Sequence, residues 1–322
     1  MLLLAVLLVF AALADSAVLL VGASGRLGRA VARKLVLQGV DTIALVRHPS
    51  RLTASQCDDL KGCKVVEGDV TSLKSLREAA ACYKECKITS VVAVHGVKPP
   101  RFSKFRDIFG SREEDFSHPS STNYKGVQNL LVLMQDLGIP RIVRITGALV
   151  GKANSVFATL FNLILSFTVK YHELSEIAIR ASGVDYVNIR PTGIREEPGV
   201  KLQQTARRLE CVSPDDPLRA VKLPGKISID DLSDLVVSAS AASSSNTAGA
   251  GRLKRATLIV STSAGLGPTD WTAALADIPA VDQGSLLPGP HTRNAVVALC
   301  AGLGLVWGAL AGTRRLASLF LR

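Results

Sequence analysis

No segment of this chain repeats at a fixed period, which removes solenoids, propellers and other repeat arrays. The six cysteines fit no standard zinc spacing, so no metal site is expected. Cys57 with Cys63 and Cys82 with Cys86 lie close enough for local disulfides in an oxidising compartment, but a four-residue interval inside a helix suits a bridge poorly. Buried thiols are the expectation. Although the formal charge is +11, no nucleic-acid-binding fold signature accompanies it, which argues against a nucleic-acid partner. The apolar start has no positive residue near Met1. No Arg- or Ser-rich, acid-poor stretch follows it, so the transit half of a bipartite plastid address is missing.

What is present begins with Val18-Leu-Leu-Val-Gly-Ala-Ser-Gly-Arg-Leu-Gly28, an apolar β-branched run joined to Gly22, Gly25 and Gly28, with a helical pattern following to Leu37. This is a dinucleotide-binding turn. Gly22 lets the chain turn off the strand, Gly25 lets a pyrophosphate approach, Gly28 lets the helix pack on the sheet, and the first amides of the helix face the anion. About 20 residues later, where a ribose-binding acid would favour NAD(H), stands Leu45-Val-Arg47. Arg47 offers a cation to a ribose 2′-phosphate, with Arg51 and Arg26 as helpers, so NADP(H) is favoured over NAD(H); the alternative is a set of solvated surface arginines. A third strand runs Lys64-Val-Val-Glu-Gly-Asp69-Val70, in which Asp69 either sits beside the adenine or caps the helix starting near Ser72. Further strands at 88–94, 141–145 and 185–191 alternate with helices at 121–137 and up to Ala181. Such alternation predicts an α/β fold, a doubly wound parallel sheet with ligand at the carboxyl ends of its strands.

The ordered set Gly22-Ala-Ser-Gly-Arg-Leu-Gly28, Leu45-Val-Arg47, Glu67-Gly-Asp69-Val70, Asn123-Tyr-Lys-Gly-Val-Gln-Asn-Leu130, Ser182-Gly-Val-Asp-Tyr186, Ile189-Arg-Pro-Thr-Gly193 and Ile227-Ser-Ile-Asp-Asp-Leu232 resembles the atypical short-chain dehydrogenases, which have a single NAD(P)H-binding Rossmann domain. Among them the plastid members that serve as import-translocon or photosystem-assembly subunits are the nearest in pattern. The resemblance implies cofactor contacts from Gly22, Ser24, Gly25, Arg26, Leu27, Gly28, Arg47, Asp69, Val70, Thr146, Pro191 and Thr192, the last two through main chain facing the nicotinamide amide. Dehydrogenases of this class hold the substrate oxygen with a Ser or Thr after the fifth strand, donate a proton from a Tyr, and lower the pKa of that Tyr with a Lys four residues on. Thr146 fills the first role. Tyr171 is the candidate for the second, but Ser175 stands where the Lys belongs, so nothing draws the phenol from about 10 toward neutrality and packing is the better reading. Tyr124, with Gln128 one turn on, is no better placed, and Asn123 either orients a group near the cofactor or caps a helix. His95, ending the fourth strand, either donates a proton near neutrality or lines the cleft.

Two functions follow from these residues. One is an NADPH-dependent oxidoreductase acting on a small carbonyl or quinone. The other is a non-catalytic NADPH-binding scaffold or redox-sensing assembly factor working with a membrane protein.

Length and 48% hydrophobic content allow one large core with additions at both ends. Residues 1–14 read as a cleaved signal peptide, because the apolar run 2–14 rises only about 20 Å as a helix, short of a bilayer. Residues 15–262 are the nucleotide domain, 263–293 a Gly/Pro-rich linker, and 294–322 a transmembrane anchor with a basic tail. Ala295–Gly312 is 18 uncharged residues followed by Arg314-Arg315, which can just span in a type I topology; the alternative is a buried core helix. The expectation is a single-pass protein of the secretory or endomembrane system, with a plastid as the alternative. The apolar run Val156–Phe167 either lines a substrate pocket or lies against the membrane, and a basic, Phe-rich stretch at 98–118 either docks on anionic lipid or is a solvated loop over the cleft.

Overall fold

A computed structural model describes residues 16–83, 86–97, 107, 115–195, 207–214, 225–240, 253–264, 268, 270–275 and 287–302. The strands are β1 (Ser16–Val21), β2 (Asp41–Val46), β3 (Lys64–Glu67), β4 (Lys87–Ala93), β5 (Arg141–Ile145), β6 (Asp185–Pro191), β7 (Ile194–Arg195), β8 (Arg207–Val212), β9 (Ile227–Ser228) and β10 (Ala256–Ala264). The helices are α1 (Arg26–Leu37), α2 (Ala54–Asp59), α3 (Leu73–Ala81), α4 (Gly126–Leu137), α5 (Val156–Ile164), α6 (Thr168–Ala181), α7 (Ile229–Ser240) and α8 (Trp271–Ala274). Eight strands form one sheet in the order β3-β2-β1-β4-β5-β6-β10-β8, parallel except where β8 runs antiparallel to β10. The reversal of winding between β1 and β4 is that of a doubly wound Rossmann sheet, and it opens a crevice at their carboxyl ends.

The inner strands are apolar throughout because both faces are covered. Val18 and Leu20 face α1 and α7, with Leu35, Leu232 and Leu235 against them. Leu19 and Val21 point the other way, into a layer made with Leu76, Leu130, Met134 and Ile179. The helix expected from Ser121 begins instead as a π-helical turn, Ser120–Lys125, and becomes α-helical at α4. Residues 120–123 are buried, and the wider turn delivers Asn123 to the end of β4, where its Oδ1 accepts from the Val97 amide at 3.2 Å.

Two expectations about the periphery are corrected. The described parts of the stretch read as a linker are docked: β10 extends to Ala264, Trp271 is buried with Nε1 donating to the Asp231 carbonyl at 2.8 Å, and Leu275 is fully buried. A Gly/Pro-rich composition concealed these apolar anchors. The six cysteines are free thiols, with Cys57, Cys82 and Cys300 exposed rather than buried. Among the described residues no helix is long and apolar enough to cross a membrane. A helix runs over 291–302, and the remainder of the expected anchor, the signal peptide at 1–14 and most of the basic stretch at 98–118 lie outside the described residues.

Replacing Trp271 with Ala should therefore cost about 3–5 kcal/mol in urea unfolding, the cost of truncating a buried aromatic, whereas a change in a solvated linker would cost almost nothing.

Candidate functional site

A cleft of about 250 Å³ opens at the carboxyl ends of β1, β2, β3 and β4, lined among others by Gly22, Ser24, Gly25, Arg47, Asp69, Val70, His95 and Thr122. Its floor depends on glycine. Gly22 has φ +90°, and a Cβ there would meet the His95 amide nitrogen at 2.7 Å. A Cβ on Gly28 would meet the Gly22 carbonyl oxygen at 2.1 Å, so α1 touches the turn main chain to main chain. Gly25 is the N-cap of α1 and contributes no side-chain cap, which leaves the first-turn amides facing outward for an anion. This is a cradle that a β-carbon would fill, and it fits a pyrophosphate.

Arg47 is exposed at the β2 end of the cleft, opposite Asp69 and Val70 at the β3 end. Asp69 is not the helix cap: Ser72 caps α3 by accepting from the Ser75 amide, while Asp69 Oδ1 accepts from the Thr71 amide and hydroxyl at 2.9 and 2.8 Å. Arg26 lies apart from the cleft, in a surface depression with Arg29, Arg33 and Asp59. The Leu27 side chain is part of the core and does not line the cleft.

Behind His95 lies a buried charge cluster. Glu176 on α6 is fully buried and accepts four hydrogen bonds: Thr146 Oγ1 at 2.6 Å and Arg190 Nε at 3.1 Å on Oε1, Arg190 Nη2 at 2.6 Å and Arg180 Nη2 at 3.2 Å on Oε2. Burial alone would push this carboxyl up, but the two guanidiniums and the hydroxyl hold it below its usual range. Arg144, fully buried on β5, donates from Nη1 to the carbonyls of Ala93 at 3.1 Å and His95 at 2.7 Å. Its burial pulls the guanidinium down to about 10 against the pull of Glu176. Burial and the Arg144 charge together hold His95 well below its usual range, so the imidazole is neutral at physiological pH and does not serve as a cationic acid. His172 is held down to about 3 for the same two reasons, with Asn123 Nδ2 at 3.4 Å from its Nε2.

The other expected site residues are placed as follows. Tyr171 is buried in a cluster with Phe167 and Ala295 and meets His118 edge-on at 5.6 Å, away from the cleft, because α6 turns that face into the packing layer. Ser175 donates to the His172 carbonyl and belongs to the same interior. Thr146, Pro191 and Thr192 do not line the cleft. The Thr192 hydroxyl donates to the Gly225 carbonyl at 2.9 Å, and the Pro191 carbonyl accepts from the Ala148 amide at 3.1 Å. Sequence reasoning missed Glu176, Arg144 and Arg190 as a unit. The available signal was a pair of arginines inside strands that are otherwise apolar, since such charges are buried only when paired.

Residues 22–243 match the protein family described as NAD(P)H-binding. A curated relative, the NADPH-dependent pterin aldehyde reductase of Arabidopsis thaliana, is 32% identical over 126 residues, 38% of this chain and 51% of the relative. The match thus spans about half the length of that relative. Among solved structures, the anaerobillin reductase ChuY of Escherichia coli superposes with a TM-score of 0.54 at 16% identity, over 76% of this chain and 97% of that one. A short-chain dehydrogenase/reductase of Veillonella parvula in complex with NADP gives 0.51 at 13% identity, over 76% and 94%. At these identities the structures share the fold.

Gly28→Ala places a methyl group on an immovable carbonyl, and it should both lower stability by about 1–3 kcal/mol and abolish dinucleotide binding in a fluorescence titration. Acid should also destabilise the fold through His172. The unfolded imidazole binds a proton near 6.5 and the folded one only near 3, so stability is complete above the first value and falls as pH drops below it. Urea midpoints measured between about pH 6.5 and 5 should decline less in His172→Gln than in the wild type, and equal declines would remove His172 from the account.

Proposed function

The chain belongs to the NAD(P)H-binding family of atypical short-chain dehydrogenases, with a nicotinamide dinucleotide as its cofactor, and on that premise we propose that it is an NADPH-dependent reductase of a small carbonyl compound. The observation that carries the NADPH preference is Arg47, a cation lining the cleft at the ribose end where no acid stands. The reductase reading is supported by the pterin aldehyde reductase relative. A bound reduced nicotinamide supplies hydride.

The rest of the chemistry falls to this chain's residues. The turn at Gly22–Gly25 and the first amides of α1 hold the pyrophosphate, Arg47 holds the 2′-phosphate, and Asp69 with Val70 flanks the adenine. His95, kept neutral, forms the wall at the β4 end of the cleft and orients rather than protonates. Thr146, outside the residues lining the cleft, donates its hydroxyl hydrogen bond to Glu176 and holds that carboxylate in place, so the proton that completes the reduction comes from solvent water. A second reading, a non-catalytic NADPH-binding scaffold, is favoured by one observation: no tyrosine is among the residues lining the cleft. The proposal includes membrane attachment through the uncharged run 295–312, on the strength of its length and its flanking arginines.

Titration of the full chain with NADPH and NADH, followed by a turnover screen on aldehydes and quinones, separates the readings. NADPH should bind more tightly, and Arg47→Ala should weaken NADPH by about tenfold or more while leaving NADH unchanged, as expected for loss of a charge-assisted contact. Tight NADPH binding without turnover of any carbonyl would favour the scaffold. Equal loss of both nucleotides in Arg47→Ala would overturn the assignment of the 2′-phosphate site.

A further inference from the structure

Helix α5 is built inside out for a soluble surface. Its inward residues, Ala158 and Asn162, are fully buried, while Val156, Phe157, Leu160 and Phe161 are 81%, 67%, 47% and 44% exposed. Those four lie at i, i+1, i+4 and i+5, one continuous apolar face. Isolated exposed apolar residues need no explanation, but a contiguous face carrying two phenylalanines marks a contact surface.

A second helix, residues 291–302, is pinned beside it. Asn162 Nδ2 lies 3.0 Å from His291 Nδ1, His291 Nε2 lies 2.5 Å from Glu173 Oε2, and the Gly289 amide donates to the same carboxylate oxygen at 3.0 Å. Asn294 Nδ2 donates to the Ala153 carbonyl at 2.8 Å, just before α5 begins, and Lys170 Nζ donates to Thr292 Oγ1 at 3.1 Å. The buried polar pins lock the inward sides of the two helices together. Their outward sides stay apolar, with Val297 60% and Leu299 37% exposed.

We propose that α5 and helix 291–302 form one membrane-docking surface that lies in the headgroup boundary of an anionic bilayer. Three observations select a bilayer over a protein partner. In sequence, Gly302 is followed directly by ten uncharged residues, Leu303–Gly312. A transient protein interface taken whole is about as polar as ordinary surface, whereas the exposed face of α5 consists of aliphatic and phenylalanine side chains. The exposed charge on the second helix is a cation, Arg293, while the nearby acid, Glu173, is taken up by His291 and the Gly289 amide. An apolar face beside cationic charge is the signature of an interfacial helix on anionic lipid.

The test is flotation of the full chain with phosphatidylcholine–phosphatidylserine vesicles and with phosphatidylcholine vesicles, for the wild type and for the double variant Phe157→Gln, Phe161→Gln. Both residues are exposed, and an unchanged urea midpoint serves as the check on folding. The expected result is wild-type flotation with the anionic vesicles, weaker with the neutral ones, and a loss of about tenfold in the variant. A variant that floats as well as the wild type would overturn the proposal, since residues 295–312 alone would then carry binding. A wild type that ignores vesicles but forms a dimer dissolved by the variant would overturn it in favour of a second copy of the chain. As a measurement independent of the variant's folding, Phe157→Trp made together with Trp307→Phe should show quenching by brominated lipid beyond that of Trp307→Phe alone, and no added quenching would also overturn the proposal.

Discussion

Three main-chain segments converge on Gly22 with no room for a β-carbon between them. The end of β4 comes within 2.7 Å of where that carbon would sit, and α1 sits over the Gly22 carbonyl so closely that Gly28 also needs a bare backbone. Everything at the nucleotide end of the sheet inherits its position from this contact. It draws His95 to the lip of the cleft, sets the distance between α1 and β4, and aims the uncapped first turn of α1 into the opening. Because the contact is between backbones, no side-chain rearrangement can relieve a substitution there, and the crevice is as rigid as the sheet that carries it.

The opposite wall is held electrostatically. Arg144 joins β5 to the end of β4 through the Ala93 and His95 carbonyls, and Glu176 ties α6 to β5 through Thr146 and to β6 through Arg190. Taking these ions from water costs several kcal/mol each, so the cluster is a doubtful source of net stability. Removing one partner is another matter, because it strands the remaining charge in the interior at about 3–5 kcal/mol. What the cluster supplies is definition: two strands, a helix and the His95 segment are locked in one arrangement, and the imidazoles of His95 and His172 are kept neutral by desolvation and by the same guanidinium.

The first six strands, the glycine turn and the arginine at the ribose end were legible because each is encoded locally, by an apolar run, a spacing or a residue type at a strand end. The rim was not. β8 and β10 pair with each other across more than forty residues, and β7 and β9 are two residues long, too short for any periodicity to register. The π-helical start at Ser120 was read as ordinary helix, since its wider winding answers to buried neighbours at Val97 and His172 rather than to its own sequence. Likewise Arg144 in isolation reads as a strand residue facing water. Its burial makes sense only with Glu176, more than thirty positions on, whose own three partners are Thr146 after β5, Arg190 on β6 and Arg180 one turn along α6.

The absent lysine after Tyr171 becomes intelligible in that light. In a tyrosine–lysine pair the cation makes a phenol acidic, whereas here the ring is packed against His118 and Phe167, and the cation beside it, Lys170, lies over the ring face at 5.5 Å and donates to Thr292. Arg144 places an undercompensated positive charge behind His95, for its Nε and Nη2 find no hydrogen-bond acceptor among the described residues. A fixed positive charge in a poorly solvated wall stabilises negative charge that develops on an oxygen facing it, without any proton transfer from the protein. A carbonyl reduced beside that wall needs a solvent proton only after hydride has arrived. On the reductase reading proposed above, a field built into the sheet takes the place of an acid built into a helix, with the neutral His95 lying between that field and the cleft.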